Sequence, residues 1–114
     1  MGAGVSDWGM MTLTSDLPSF ESALGGSRPW DGVGPHRAND VSPISFAGQA
    51  ETPLLMLHGK NDERVPVSQA IGFERALRER NIPVQLVTYP REPHGVRERA
   101  HQRDILRRVL AWYQ

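Results

Sequence analysis

The stretch Leu54-Leu55-Met56-Leu57-His58-Gly59-Lys60-Asn61-Asp62 decides the fold of this chain. It opens with a continuous apolar run, which is typical of a strand buried on both faces in a parallel sheet. A glycine turn and an acidic residue follow that run directly. Because ligands of such sheets bind beyond the carboxyl ends of the strands, Asp62 lies where a functional carboxylate is expected.

A second strand and a histidine repeat this plan further along the chain. The apolar spacing predicts a helix from about Ser68 to Arg80 and a strand from Val84 to Tyr89, and His94 follows that strand. A final helix is predicted from about Arg97 to Tyr113. Two neighbouring parallel strands would bring Asp62 and His94 to the same rim of the sheet. The apolar stripe predicted to pack the final helix on the sheet contains Ile105, Leu106, Val109, Leu110, Trp112 and Tyr113.

The N-terminal half carries weaker signals. Residues Ala3 to Val5 are predicted to form a short first strand. A helix is predicted near Leu17 to Leu24, with Pro18 in its first turn and glycines after it. The proline-rich segment from Ser27 to Ala50 is predicted to be a long loop with single turns. The order of elements predicts one α/β domain over residues 1–114, with about three parallel strands and flanking helices.

Composition excludes several classes of partner and chemistry. The 114 residues suffice for one domain, and the net charge of zero favours no nucleic-acid partner. No apolar run approaches the roughly 18 residues of a membrane span, so no membrane association is expected. The absence of cysteine excludes disulfides and thiolate sites and is compatible with the cytoplasm, which is the expected location.

Asp62 and His94 together indicate acid–base chemistry. A neutral imidazole can take a proton from a hydroxyl or from water near neutral pH. A carboxylate bonded to its other ring nitrogen fixes the tautomer and stabilises the imidazolium that forms. Each residue alone is ordinary, because aspartate often caps turns and histidine often lies in loops. Their shared position after strands, beside Gly59 and Gly95 that permit tight turns, favours a catalytic pair.

Longer motifs around this pair resemble the prolyl oligopeptidase (S9) serine peptidases. The segment His58-Gly59-x-x-Asp62-x-x-Val65-Pro66-x-x-Gln69 is similar to their acid segment, and Tyr89-Pro90-x-x-x-His94-Gly95 to their histidine segment. The opening Gly2-Ala3-Gly4-Val5-Ser6-Asp7-Trp8 and the loop Ser42-Pro43-Ile44 resemble the acylaminoacyl-peptidase branch. The resemblance implies the last three strands of an α/β-hydrolase, with Asp62 and His94 as triad acid and base. Val65, Pro66 and Gln69 are expected to fix the loop and the next helix.

The chain departs from that family at the nucleophile. Family members carry a serine in an upstream G-x-S-x-G turn, and no serine of this chain lies in one. Ser6 and Ser27 each have the first glycine of the pattern without the second. The nucleophile, the oxyanion donors and the gating propeller are therefore expected outside this sequence. A sheet cut at this point would expose an edge, so we expect a homodimer that completes the sheet.

Three functions remain open from the sequence. The first is a hydrolase in which His94 and Asp62 activate water or a hydroxyl on small esters or peptides, with no cofactor required. The second is a hydrolase of phosphoesters that depends on Zn²⁺ or another divalent metal, held at a homodimer interface. Its candidate ligands are His94, Asp62, His58 and His101. The third is a folded fragment without catalytic activity.

Overall fold

The computed structural model describes residues 1–114 and contains a small parallel sheet flanked by helices. Strands β1 (Leu54–Gly59) and β2 (Val84–Tyr89) pair in parallel, with Leu54 opposite Val84 and Gly59 opposite Tyr89. The helices are α1 (Trp8–Thr14), α2 (Pro18–Gly25), α3 (Arg37–Asp40), α4 (Ser68–Glu79) and α5 (Arg99–Trp112), with a 3₁₀ helix at Pro43–Gln49. This architecture confirms the predicted α/β fold class. No helix is both long enough and apolar enough to cross a bilayer.

Strand β1 and helix α4 supply much of the core, as their sequence patterns predict. Leu55 and Met56 are adjacent in β1 and both buried, so the strand is covered on its two faces. Ala70 and Leu77 are buried on the predicted apolar face of α4, against the sheet and the 3₁₀ helix. Burial of this stripe stabilises the crossover that makes β1 and β2 parallel.

The N-terminal segment differs from its prediction. The expected strand at Ala3 to Val5 is reduced to one parallel bridge between Gly2 and Leu57. In this bridge the Ala3 N–H donates a hydrogen bond to the Leu57 carbonyl at 3.0 Å. Helix α1 was not predicted. It begins where the Asp7 side chain accepts the Met10 N–H at 3.0 Å, an N-cap bond that satisfies a free helix amide. Its interior glycine and threonines have low helix propensity, which hid it.

Gln69, in α4, binds the N-terminal segment that precedes α1. Its buried side-chain oxygen accepts the backbone N–H of Ser6 at 2.8 Å and that of Asp7 at 2.7 Å. Its amide donates back to the Asp7 carbonyl at 3.1 Å. Gln69 was predicted to fix the loop before α4 and that helix. Its side chain instead binds Ser6 and Asp7, a segment far away in sequence.

Helix α5 corrects the predicted packing of the C-terminal stripe. None of its residues is fully buried. Ile105, Val109 and Trp112 are half-buried, whereas Leu106, Leu110 and Tyr113 are 64%, 66% and 85% exposed. The prediction that the whole stripe packs on the sheet was wrong for these three side chains, since the two-stranded sheet is too narrow to cover both sides of the stripe. An apolar strip of α5 therefore faces outward.

Candidate active site

Asp62 lies in the turn that follows β1, and its buried carboxylate is held from two sides. One oxygen accepts the Val65 backbone N–H at 2.8 Å. The other lies 2.9 Å from Nδ1 of His94. Because an ionised carboxylate only accepts, the first bond orients the group so that its second oxygen faces the imidazole.

His94 lies in the loop after β2, with half of its side chain exposed. Its Nδ1–H donates to Asp62, which leaves Nε2 as the unprotonated nitrogen of the neutral ring. His94 makes no other side-chain hydrogen bond, so Nε2 is free to accept a proton from a bound group. The structure thus brings the two predicted residues together with the geometry of a histidine–carboxylate pair.

His58 stabilises the same turn from inside the protein. It is buried, and its Nε2–H donates to the Val65 carbonyl at 2.6 Å. The same nitrogen is 3.6 Å from a carboxylate oxygen of Asp62. His58 therefore binds the backbone carbonyl of Val65, and Asp62 binds the N–H of the same residue. The two bonds together stabilise the turn.

Gly59 permits the two functional loops to approach each other. A Cβ at this position would lie 2.3 Å from the Pro93 carbonyl oxygen and 2.5 Å from that of Glu92. Two backbone bonds join the loops beside it, from Lys60 N–H to the Tyr89 carbonyl at 2.8 Å and from Asn61 N–H to the Glu92 carbonyl at 3.0 Å. Gly95, in contrast, has open space around its Cβ position and no positive φ, so the structure does not require a glycine there.

Glu92 is a buried carboxylate that the sequence did not single out. Its oxygens accept the backbone N–H groups of Arg97 and Glu98 at 2.7 and 2.9 Å, and Nδ1–H of His101 at 2.7 Å. The bond from the Arg97 amide is the largest cause of a lowered pKa for Glu92. Together with the His101 and Glu98 donors, it brings that pKa to about 2. The only sequence signal is an acidic residue shortly before a helix start, which is common at helix N-termini.

The predicted metal candidates fall into two groups. His58 and His94 both lie beside Asp62, whereas His101 lies beside Glu92 and Glu98, whose ligand atoms are within 4.8 Å of one another. In that second group the Glu92 oxygens already bind backbone amides and His101, and Glu98 pairs with Arg91 at 2.8 Å. The donor atoms of this group are thus engaged in fixing the loop.

Tyr89, at the end of β2, carries a separate polar network. Its hydroxyl donates to Asp104 of α5 at 2.9 Å, and Asp104 also accepts from Arg108 at 2.7 Å. Burial, and then the bond to Asp104, raise the pKa of Tyr89 to about 12. This network holds α5 on the sheet. Its Asp104 and Arg108 side chains make no hydrogen bond to residues 92–98, whereas the Tyr89 ring lies beside His101, with the ring centroids 5.3 Å apart.

Two clefts open beside His94. One has a volume of about 370 Å³ and is lined by Asp16, Asn61, Glu63, Arg64, Pro93 and His94. The other, of about 340 Å³, is more apolar and includes Leu57, Val96 and Ile105. A larger cavity, of about 600 Å³, lies between the start of β1 and Trp112, away from His94. Because no histidine or carboxylate side chain lines that cavity, the clefts beside His94 are the better candidates for substrate.

Ser6, which precedes α1, is unavailable as a nucleophile in this arrangement. It is 3% exposed, and its hydroxyl donates to the Gln69 carbonyl at 2.7 Å. The sequence-based rejection of Ser6 as a triad serine therefore agrees with its position.

A parallel sheet with a carboxylate after one strand and a histidine after the next, joined by a hydrogen bond, is the arrangement that completes the triad in the α/β-hydrolase class of proteins. The chain belongs to the prolyl oligopeptidase family, whose model matches residues 1–114.

Individual relatives agree with this assignment. The acylamino-acid-releasing enzyme of Rattus norvegicus is 32% identical over 108 residues, which cover 95% of this chain and 14% of the rat protein. A puromycin-hydrolyzing peptidase of Mycobacterium tuberculosis is 29% identical with a TM-score of 0.86, covering 98% of this chain and 17% of that one. The acylaminoacyl peptidase of Pyrococcus horikoshii, at 22% identity and a TM-score of 0.87 over 98% of this chain and 19% of that one, supports the fold alone. The chain thus spans less than a fifth of the length of these relatives.

Proposed function

We propose that this chain carries the acid–base half of a hydrolase site, in which His94 accepts a proton from a hydroxyl or a water and Asp62 orients it. The observation that carries this proposal is the bond of 2.9 Å between His94 Nδ1 and the buried Asp62 carboxylate, with Nε2 left free. This arrangement suits general base catalysis, because the ring is already in the tautomer that accepts protons at Nε2.

The proposed reaction is hydrolysis of an acyl bond in small esters or peptides. A water in a cleft beside His94 attacks the carbonyl carbon while its proton passes to Nε2. Where a hydroxyl attacks instead, it first takes the acyl group, and a water activated by His94 in the same way then releases that group as the acid. The imidazolium that forms is stabilised by Asp62 and then gives the proton to the leaving group as the tetrahedral intermediate collapses. The name of the rat relative, an acylamino-acid-releasing enzyme, supports an acyl substrate. The absence of a G-x-S-x-G serine in these residues makes activated esters the best first substrates.

The test is hydrolysis of an activated ester by the wild type, His94→Ala and Asp62→Ala, each with and without a chelator. His36→Ala is the matched control, because the His36 side chain hydrogen-bonds only the Gly32 carbonyl, in the N-terminal half. We expect activity to fall in both site variants, to persist in the control, and to be insensitive to the chelator. Equal activity in all four proteins would contradict the proposal.

Two other outcomes of the same assay identify the alternatives. Chelator-sensitive activity, on phosphoesters above all, would indicate a metal-dependent hydrolase with ligands among His94, Asp62, His58 and His101. No activity in a folded wild type would indicate a non-catalytic fragment. Loss of turnover in Ser6→Ala would instead identify Ser6 as the nucleophile, against its burial.

We also propose that the chain forms a homodimer. The outward-facing Leu106 and Leu110 support this proposal, because they lie one helical turn apart on α5 and are both largely exposed. Pairing of this strip with that of a second copy would remove it from water.

A further inference from the structure

The loop that carries His94 is closed by one side chain. Glu92 precedes His94 by two residues, and its carboxylate accepts the backbone N–H groups of Arg97 and Glu98 on the other side of the histidine. These bonds turn residues 92–98 into a ring with His94 on its outer side. Because the Glu92 side chain is only 2% exposed, water cannot replace these bonds without opening the loop.

The same residue connects this ring to the Asp62 turn and to α5. The Glu92 carbonyl accepts the N–H of Asn61, the neighbour of Asp62, at 3.0 Å. Its carboxylate accepts Nδ1–H of His101 at 2.7 Å, in the first turn of α5. Glu92 thus joins three segments, and their mutual position sets the distance between His94 and Asp62.

We propose that Glu92 is a positioning residue for His94: it holds the 92–98 loop so that His94 Nδ1 meets the Asp62 carboxylate. This inference rests on the proposed role of His94 and deepens it. A carboxylate is needed at residue 92 because its three partners in the loop and α5 are all N–H groups, which require an acceptor. All its bonds are accepted from N–H donors, so a glutamine of the same size would turn its NH₂ group toward a donor. The charge also strengthens each bond.

The first measurement does not depend on catalysis. In ¹⁵N-labelled protein, long-range ¹H–¹⁵N correlation reports which nitrogen of His94 carries the proton. We expect the wild type to hold the Nδ1–H tautomer, and Glu92→Gln to show a mixture of both tautomers. Glu92→Asp keeps the charge and should recover part of the Nδ1–H population.

Asp104→Asn is the matched control, because Asp104 is also a carboxylate that anchors α5, through Tyr89 and Arg108, and its side chain makes no hydrogen bond to the 92–98 loop. We expect this variant to lose stability and to keep the His94 tautomer. If Glu92→Gln unfolds, His101→Phe removes a single donor from Glu92 and should change the tautomer less, in the same direction.

The second measurement is ester hydrolysis. Since displacement of a reacting group by about 1 Å can cost roughly 100-fold in rate, we expect Glu92→Gln to lower kcat by about 10- to 100-fold with little change in KM. A folded Glu92→Gln that keeps the Nδ1–H tautomer overturns the proposal, as does an equal tautomer change in Asp104→Asn. A wild type without activity but with the expected tautomer changes refutes the proposed function and supports the positioning role.

Discussion

Replacement of Gly59 by alanine tests the close approach of the two functional loops. The added Cβ would lie 2.3 Å from the Pro93 carbonyl oxygen, and real contacts of this kind do not fall below 3.0 Å. The gap must therefore open by about 0.7 Å, and both partners are backbone atoms that cannot rotate away. The movement strains the bonds from Lys60 N–H to Tyr89 and from Asn61 N–H to Glu92.

The expected cost follows from these contacts. Two weakened backbone bonds contribute about 1–3 kcal/mol, and steric overpacking adds about 1–3 kcal/mol. A chain of 114 residues has a free energy of unfolding of about 6–17 kcal/mol by the usual per-residue range. We therefore expect Gly59→Ala to fold with about 2–6 kcal/mol less stability. The His94–Asp62 bond should lengthen as the loops separate, so esterase activity should fall as well.

Urea unfolding followed by circular dichroism measures this change. Gly72→Ala is the control, because Gly72 lies in α4 with no atom within 4 Å of its Cβ position. That variant should be more stable by about 0.5–1 kcal/mol, since alanine favours helices over glycine. A Gly59→Ala protein within about 0.5 kcal/mol of the wild type would refute the close approach of the loops, because surface changes alone stay in that range.

Three further predictions concern other parts of the molecule. Gln69→Leu leaves the buried N–H of Ser6 and the partly buried N–H of Asp7 without an acceptor. It should lower the free energy of unfolding by about 2–6 kcal/mol, measured by thermal denaturation. The change Gln85→Leu, at an exposed residue, should alter that free energy by less than about 0.5 kcal/mol. The Glu92 carboxylate, with its pKa lowered from 4.5 to about 2, contributes stability that is complete above 4.5 and is lost as the pH falls through about 2. The stability difference between wild type and Glu92→Gln in urea should thus shrink over that window, and a constant difference would contradict this role. The double change Leu106→Glu with Leu110→Glu should convert the proposed dimer to a monomer, as measured by sedimentation velocity. A wild type that is already monomeric at micromolar concentration would refute the dimer.

Local sequence patterns predicted the elements that carry the site. The apolar run before Gly59 identified β1, and helical spacing identified α4, because each is buried along a regular face. The same patterns failed for α1, where a side-chain cap from Asp7 outweighs poor helix propensity. They also overstated the packing of α5, since periodicity shows which face is apolar but not how wide a surface covers it.

The sequence by itself determined the α/β fold class and the place of Asp62 and His94 after consecutive strands, because strand ends and side-chain chemistry are local properties. Only the tertiary structure decided that Glu92 closes the histidine loop and that Gly59 must lack a side chain. It also decided that Ser6 is bonded to Gln69, a residue 63 positions away. Each of these depends on distances between segments that are remote in the chain. The pairing of β1 with β2 brings the Gly59 and Glu92 loops together, and the packing of the N-terminal segment on α4 brings Ser6 to Gln69.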